Sequence, residues 1–194
     1  MNYVALDFET ANSNKGGIAS IGMAKFNEEG EVIDTYYSLV CPKVEYFSPA
    51  MTRVHGLDSS ACLASPTFDL IWPEVNGFMA NDIVIAHNVN FDYSVLKGSL
   101  ETYNLDFPTN VFYCTLQISR KKWPSMKSHK LTYLSEQFEL NYRAHHALDD
   151  AINCGKLFKI ACGDKTFERE VLINYLDYDL KVKSKKMVED GYLF

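Results

Sequence analysis

The chain has 194 residues, 47% hydrophobic and 23% charged, which suits one globular domain with a sizeable core and excludes a disordered chain. A net charge of −6 speaks against a protein that holds nucleic acid by overall charge, although local distribution matters more than the total. No run approaches the length of a membrane span, the N-terminus lacks the pattern of a secretion signal, and the five scattered cysteines include no Cys-x-x-Cys pair. These features predict a cytoplasmic protein with reduced thiols, no membrane partner and no structural zinc.

VALDFET, residues 4–10, reads as a buried strand that carries Asp7 and Glu9. Side chains alternate along a strand, so both acids lie on one face. Either the strand runs out into water there, or a hard cation such as Mg²⁺ or Mn²⁺ offsets their repulsion. ASIGMAKF and VIDTYYSLV then flank the turn-rich NEEGE and predict a hairpin. A stretch punctuated by Gly and Pro follows, and then a helix over Phe68–Met79. DIVIAHN has the nearly all-apolar composition of a strand covered on both faces, and a helix follows from about Phe91 to Tyr103. NVFYCTLQ predicts a strand, and KLTYLSEQFEL and ALDDAINCGKLFKIAC predict helices. Strands alternating with helices after an opening hairpin indicate an α/β domain with a mixed sheet. From Gly163 the chain becomes more charged and reads as an extra helix with an extension, not a second domain.

Further acids occur at the predicted strand and helix ends. Asp92 falls in the first turn of a helix just beyond a buried strand, where ligands of open α/β sheets bind and where the helix dipole alone would also suit an acid. In AHHALDDAINCGKLF, Asp149 shares a helical stripe with Asn153 and Lys156, predicting a solvated face. Asp150 shares its stripe with Cys154 and Leu157 and leans inward.

Together these segments resemble the three motifs of the DEDDh exonucleases, the family that includes the proofreading epsilon subunits of bacterial replicases. Asp7-Phe8-Glu9-Thr10 is similar to the first motif, His87-Asn88-Val89-Asn90-Phe91-Asp92 to the second, and His145-His146-Ala147-Leu148-Asp149-Asp150 to the third. In the third, only His145 stands five residues before an aspartate, Asp150. Ile21-Gly22, Val54-His55-Gly56-Leu57 and Lys130-Leu131-Thr132-Tyr133-Leu134 also look like family positions. The resemblance covers residues 1–162, leaving 163–194 as a C-terminal helical extension and tail.

The resemblance implies a ribonuclease-H-like fold, with a mixed five-stranded sheet of antiparallel hairpin strands and parallel strands flanked by helices. It implies a 3′–5′ exonuclease that hydrolyses single-stranded DNA from its 3′ end and releases nucleoside 5′-monophosphates. Asp7, Glu9, Asp92 and Asp150 would hold two Mg²⁺ or Mn²⁺ ions, Asp7 bridging them, and His145 would act as general base. An RNA 3′–5′ exonuclease would share all three motifs, and a non-catalytic binding module could share the fold.

Thr10 and Asn88 are placed to bond the terminal nucleotide. Phe8, Phe91 and Tyr93 either stack on bases or belong to the core. SRKKWPSMKSHK, residues 119–130, carries five cations around Trp123 and no acid. It reads either as a solvated loop or as a substrate-binding strip using Lys121, Lys122 and Trp123. A polymerase is a possible partner, and the final GYLF faintly resembles sliding-clamp peptides but lacks their leading Gln. The oligomeric state is left open.

Overall fold

A computed structural model describes residues 2–140 and 143–163. Its centre is a five-stranded sheet in the order β3-β2-β1-β4-β5, built from β1 (Tyr3–Thr10), β2 (Ile18–Phe26), β3 (Val32–Leu39), β4 (Ile83–Ala86) and β5 (Phe112–Cys114). β1, β2 and β3 pair antiparallel, whereas β1–β4 and β4–β5 pair parallel. Seven helices complete the described chain: α1 (Pro49–His55), α2 (Ser59–Leu63), α3 (Phe68–Met79), α4 (Val89–Tyr103), α5 (Thr115–Lys122), α6 (Leu131–Gln137) and α7 (Ala147–Cys162).

The central strand is buried on both faces, and its alternation divides the core in two. Tyr3 and Ala5 join Phe26 and Ile85 beneath Leu157 and Phe158 of α7 and Leu134 of α6. Val4, Leu6 and Phe8 point the other way, into a cluster with Phe68, Trp72 and Met79 of α3 and Leu96 and Leu100 of α4. Asp7 and Glu9 continue the odd-numbered face, so the side of β1 that is apolar under α7 becomes acidic at its C-terminal end.

Two glycines let α7 approach the sheet. Gly22 of β2 lies opposite Asp7 in the antiparallel register, and a Cβ there would overlap the backbone of Ala147 and Leu148. About two turns along the helix, a Cβ on Gly155 would run into the Phe26 ring. The helix therefore rests against backbone at one contact and a ring face at the other, a separation that only glycine permits.

The hairpin, the Phe68–Met79 helix and the helix over 147–162 fall where the sequence places them. Elsewhere the structure differs for local reasons. The strand expected over NVFYCTLQ is limited to Phe112–Cys114, because β5 pairs only with the short β4, and Thr115 already opens α5. α4 begins at Val89, two residues early, since Asn88 turns the chain with φ 77°. The short α1 and α2 occupy the Gly/Pro-punctuated stretch that carries no extended periodicity. Asn153 is not on a solvated face: it is 1% exposed and its amide donates to the Asp149 carbonyl at 2.8 Å. The expected C-terminal extension, from 164 onward, and its GYLF end lie outside the described residues.

Gly22→Ala is expected to lower stability by about 1–3 kcal/mol through overpacking. Gly77→Ala, in α3 with open space around its Cβ position, should raise it by about 0.5–1 kcal/mol through helix propensity. Thermal melts of the two variants check both signs.

Candidate active site

Three elements deliver the acids. Asp7 and Glu9 come from the end of β1, and Asp150 from the first turn of α7, held over the strand by the Gly22 contact. The carboxylate oxygens of these three residues lie within 4.8 Å of one another. Asp92 enters from the first turn of α4. β1 pairs with β4 only as far as Ala5, and beyond that point the Phe8 N–H donates to Asp92 Oδ1 at 3.2 Å. This bond fixes Asp92, 2% exposed, against the strand that carries Asp7 and Glu9.

Such a cluster is electrostatically costly. Burial drives the Asp7 carboxyl well above the usual range, and Asp92, Asp150 and Glu9 drive it further. Asp92 is also raised well above its ordinary value by burial, partly offset by the Phe8 N–H. Burial and then the neighbouring Asp150 push Glu9 up to about 7. The donors are all oxygens and anionic, which fits a hard divalent cation rather than zinc or copper.

His145 precedes α7 in a left-handed conformation, φ 63°, which costs a non-glycine residue about 1 kcal/mol or more. Its exposed side chain lines the same groove as Asp7 and Asp150. His146 is drawn the other way, with Nδ1 3.2 Å from the Asp149 carboxylate and its ring stacked on Tyr37 at 4.9 Å. One histidine of the pair therefore faces the acids.

The groove has a volume of about 830 Å³. Its lining includes Asp7, Asp150, His145, His87 and Asn88 together with Arg120, Lys127, His129 and Lys130. His87 bonds Thr115 Oγ1 at 2.9 Å and the His129 carbonyl at 2.8 Å. A carbonyl only accepts, so the His87 proton sits on Nε2 and Nδ1 accepts from the Thr115 hydroxyl. Burial lowers the His87 pKa to about 4, which keeps the ring neutral as this pairing requires. His55 is buried and accepts the Leu57 N–H on Nδ1 at 3.0 Å.

The other residues singled out in the sequence separate into different places. Thr10 and Phe91 line a second, smaller pocket of about 250 Å³ with Met51 and Asn12, and Phe91 is 44% exposed. Phe8 is corrected: its ring, 2% exposed, belongs to the core and has no face for a base, and only its amide serves the site. Tyr93 is likewise buried, edge-on to Phe112. Trp123 packs on Phe138 with ring centroids 4.6 Å apart, so its ring is a brace for the chain between α5 and α6. Lys121 and Lys122 are exposed on the last turn of α5 and are absent from the groove lining, which takes Arg120, Lys127 and Lys130 instead. Helical phase makes that selection, and the stretch read as a loop hid it because its first four residues are helical.

A mixed five-stranded sheet with four acids converging beside a histidine defines a ribonuclease-H-like fold with the site arrangement of the DEDDh nucleases. A family model for exonucleases (RNase_T) matches residues 4–158, and the chain belongs to that family. The DNA polymerase III PolC-type of Caldanaerobacter subterraneus subsp. tengcongensis is 30% identical over 159 residues, 80% of this chain but 11% of the polymerase's length. Among solved structures, exonuclease X in complex with 5′-overhanging duplex DNA superposes with a TM-score of 0.72 at 21% identity, over 89% of this chain and 98% of its own. The nuclease domain of 3′hExo, a DEDDh family member bound to rAMP, gives 0.72 at 17% identity, over 85% and 94%. Both share this fold. Among the described residues no helix is long and apolar enough to cross a membrane.

Cation binding and pH test the cluster without reference to activity. Mn²⁺ or Mg²⁺ at a hundredfold excess over Kd is expected to stabilise the fold by about 2.7 kcal/mol at pH 8, and Asp7→Asn to remove most of that gain. Without cation the sign reverses with pH. Glu9 has an ordinary pKa of 4.5 and a folded value of about 7, so between these values the folded chain holds more protons than the unfolded one. Stability therefore falls as pH rises through that window, and Glu9→Gln should flatten the dependence in melts recorded in chelator.

Proposed function

We propose that this chain is a 3′–5′ exonuclease that hydrolyses single-stranded DNA one nucleotide at a time and releases nucleoside 5′-monophosphates. The carrying observation is the convergence of Asp7, Glu9 and Asp150 within 4.8 Å, beside Asp92 and His145, in an open groove rather than a sealed core. Asp7, Glu9, Asp92 and Asp150 are the residues to hold two Mg²⁺ or Mn²⁺ ions. When bound, such ions neutralise the phosphodiester anion and lower the pKa of the attacking water.

The chain's own residues do the rest. His145 takes the proton from the attacking water as the new O–P bond forms and the bond to the 3′ oxygen of the preceding nucleotide breaks, and that oxygen takes a proton from solvent to leave as a 3′-hydroxyl. The exposure of His145 lets its proton pass to solvent. Asp92, held by the Phe8 amide, keeps its carboxylate fixed relative to Asp7. Thr10 and Phe91 in the second pocket, and Asn88 at the groove, are suited to the terminal nucleotide, while Lys121 and Lys122 add positive field at the end of α5.

DNA is the favoured substrate because the polymerase relative is a DNA enzyme by name, and a polymerase partner is consistent with the same relation. RNA is the second reading, supported by the neighbour's bound rAMP. End-labelled DNA and RNA oligomers incubated with Mg²⁺ or Mn²⁺ decide between them. A ladder from the 3′ end of DNA, faster than from RNA and absent in Asp7→Ala, is the expected result. A faster RNA ladder selects the second reading, and no product from either overturns the nuclease. His145→Ala is expected to slow the reaction about 10²- to 10⁴-fold.

A further inference from the structure

Three cations of the groove have no part in the reading above. Arg120 comes from the last turn of α5, and Lys127 and Lys130 from the chain that joins α5 to α6. All three are exposed, all three line the groove that holds Asp7 and Asp150, and none forms an ion pair among the described residues. On a chain with net charge −6, three exposed cations in the same groove as an acidic cluster are a polarised arrangement. Simple neutralisation would have paired these cations with the acids, and among the described residues no ion pair joins them.

This cationic lining is also held in place. The His87 Nε2–H donates to the His129 carbonyl at 2.8 Å, and the His129 Nε2–H donates to the Trp123 carbonyl at 2.9 Å. The Trp123 ring is braced on Phe138. His87 follows β4 directly and shares its motif with Asp92, so two partly buried hydrogen bonds tie the segment bearing Lys127 and Lys130 to the strand end beside the acids. Cations fixed before a ligand arrives lose less entropy on binding it.

Resting on the proposed exonuclease activity, we propose that Arg120, Lys127 and Lys130 form a phosphate track for the strand on the 5′ side of the bond that is cut. A mononucleotide seated at the acids leaves this wall empty, whereas an extended strand lays its next phosphates along it. His87 is a positioning residue for the track. The wall reads charge and not bases or sugars, so it makes activity depend on strand length and salt rather than sequence.

The test compares two substrates in the full-length protein. One is the p-nitrophenyl ester of thymidine 5′-monophosphate, which has no upstream phosphate. The other is an oligothymidylate, or oligouridylate if the wild type prefers RNA. In Lys127→Ala/Lys130→Ala, kcat/KM for the oligomer relative to the ester should fall about tenfold near 0.1 M salt, mainly through KM, and its log–log salt slope should become shallower by about 1.4, at 0.7 per phosphate on a single strand. Lys127→Arg/Lys130→Arg should keep the wild-type slope, which separates charge from misfolding. His87→Ala should raise KM for the oligomer more than for the ester, with His87→Asn closer to wild type. An unchanged substrate ratio and salt slope in the double alanine variant would overturn the track while leaving the exonuclease intact. Wild-type protein that cleaves neither substrate would overturn the exonuclease reading, and the track with it.

Discussion

Mutual repulsion of carboxylates is the constraint on which the rest of the structure depends. Asp7, Glu9, Asp92 and Asp150 are brought together, and each raises the cost of ionising its neighbours. A fold that only maximised its stability would spread these groups over the surface. Here the apolar two-sided burial of β1 supplies the compensating free energy, because the residues alternating with the acids are anchored in two separate cores. Packing holds the acids together against their own charge.

That packing is specific in where it allows close approach. α7 meets β2 at the glycine opposite Asp7 and meets Phe26 at its own glycine. Those contacts bring the first turn of the helix down onto the strand, so Asp150 reaches across a helix–sheet interface that normally holds side chains farther apart. Asp92 is secured differently, by an amide left over where the parallel pairing of β1 and β4 stops. One acid is thus placed by steric fit and another by an unused backbone donor. Both devices hold a carboxylate against the strand that carries Asp7 and Glu9.

The histidines divide by the same logic. His87 is neutral and spends both ring nitrogens on structure. His146 is occupied by Asp149 and Tyr37. His145 alone of these is held outward at the groove, at a backbone angle that its residue type disfavours. The cost of that conformation falls on the exposed histidine beside the acids.

Much of this was legible from residue order. Period-two alternation in VALDFET put Asp7 and Glu9 on one face, and the 3.6-residue period of α7 turned Asp150 inward, because both patterns follow from local backbone geometry alone. The hairpin and the longest helices were readable for the same reason. Residue order was silent on Phe8 as core rather than base platform, on Asn153 as buried, and on Arg120, Lys127 and Lys130 rather than Lys121 and Lys122 as the groove's cations. Each of those depends on which element packs above a residue, and two faces of a strand covered on both sides look alike in sequence. The sequence by itself determined the chemistry available, four acids and a histidine at element ends. Only the tertiary structure decided which cations share their groove and how closely the acids stand, because both are set by contacts between segments far apart in the chain.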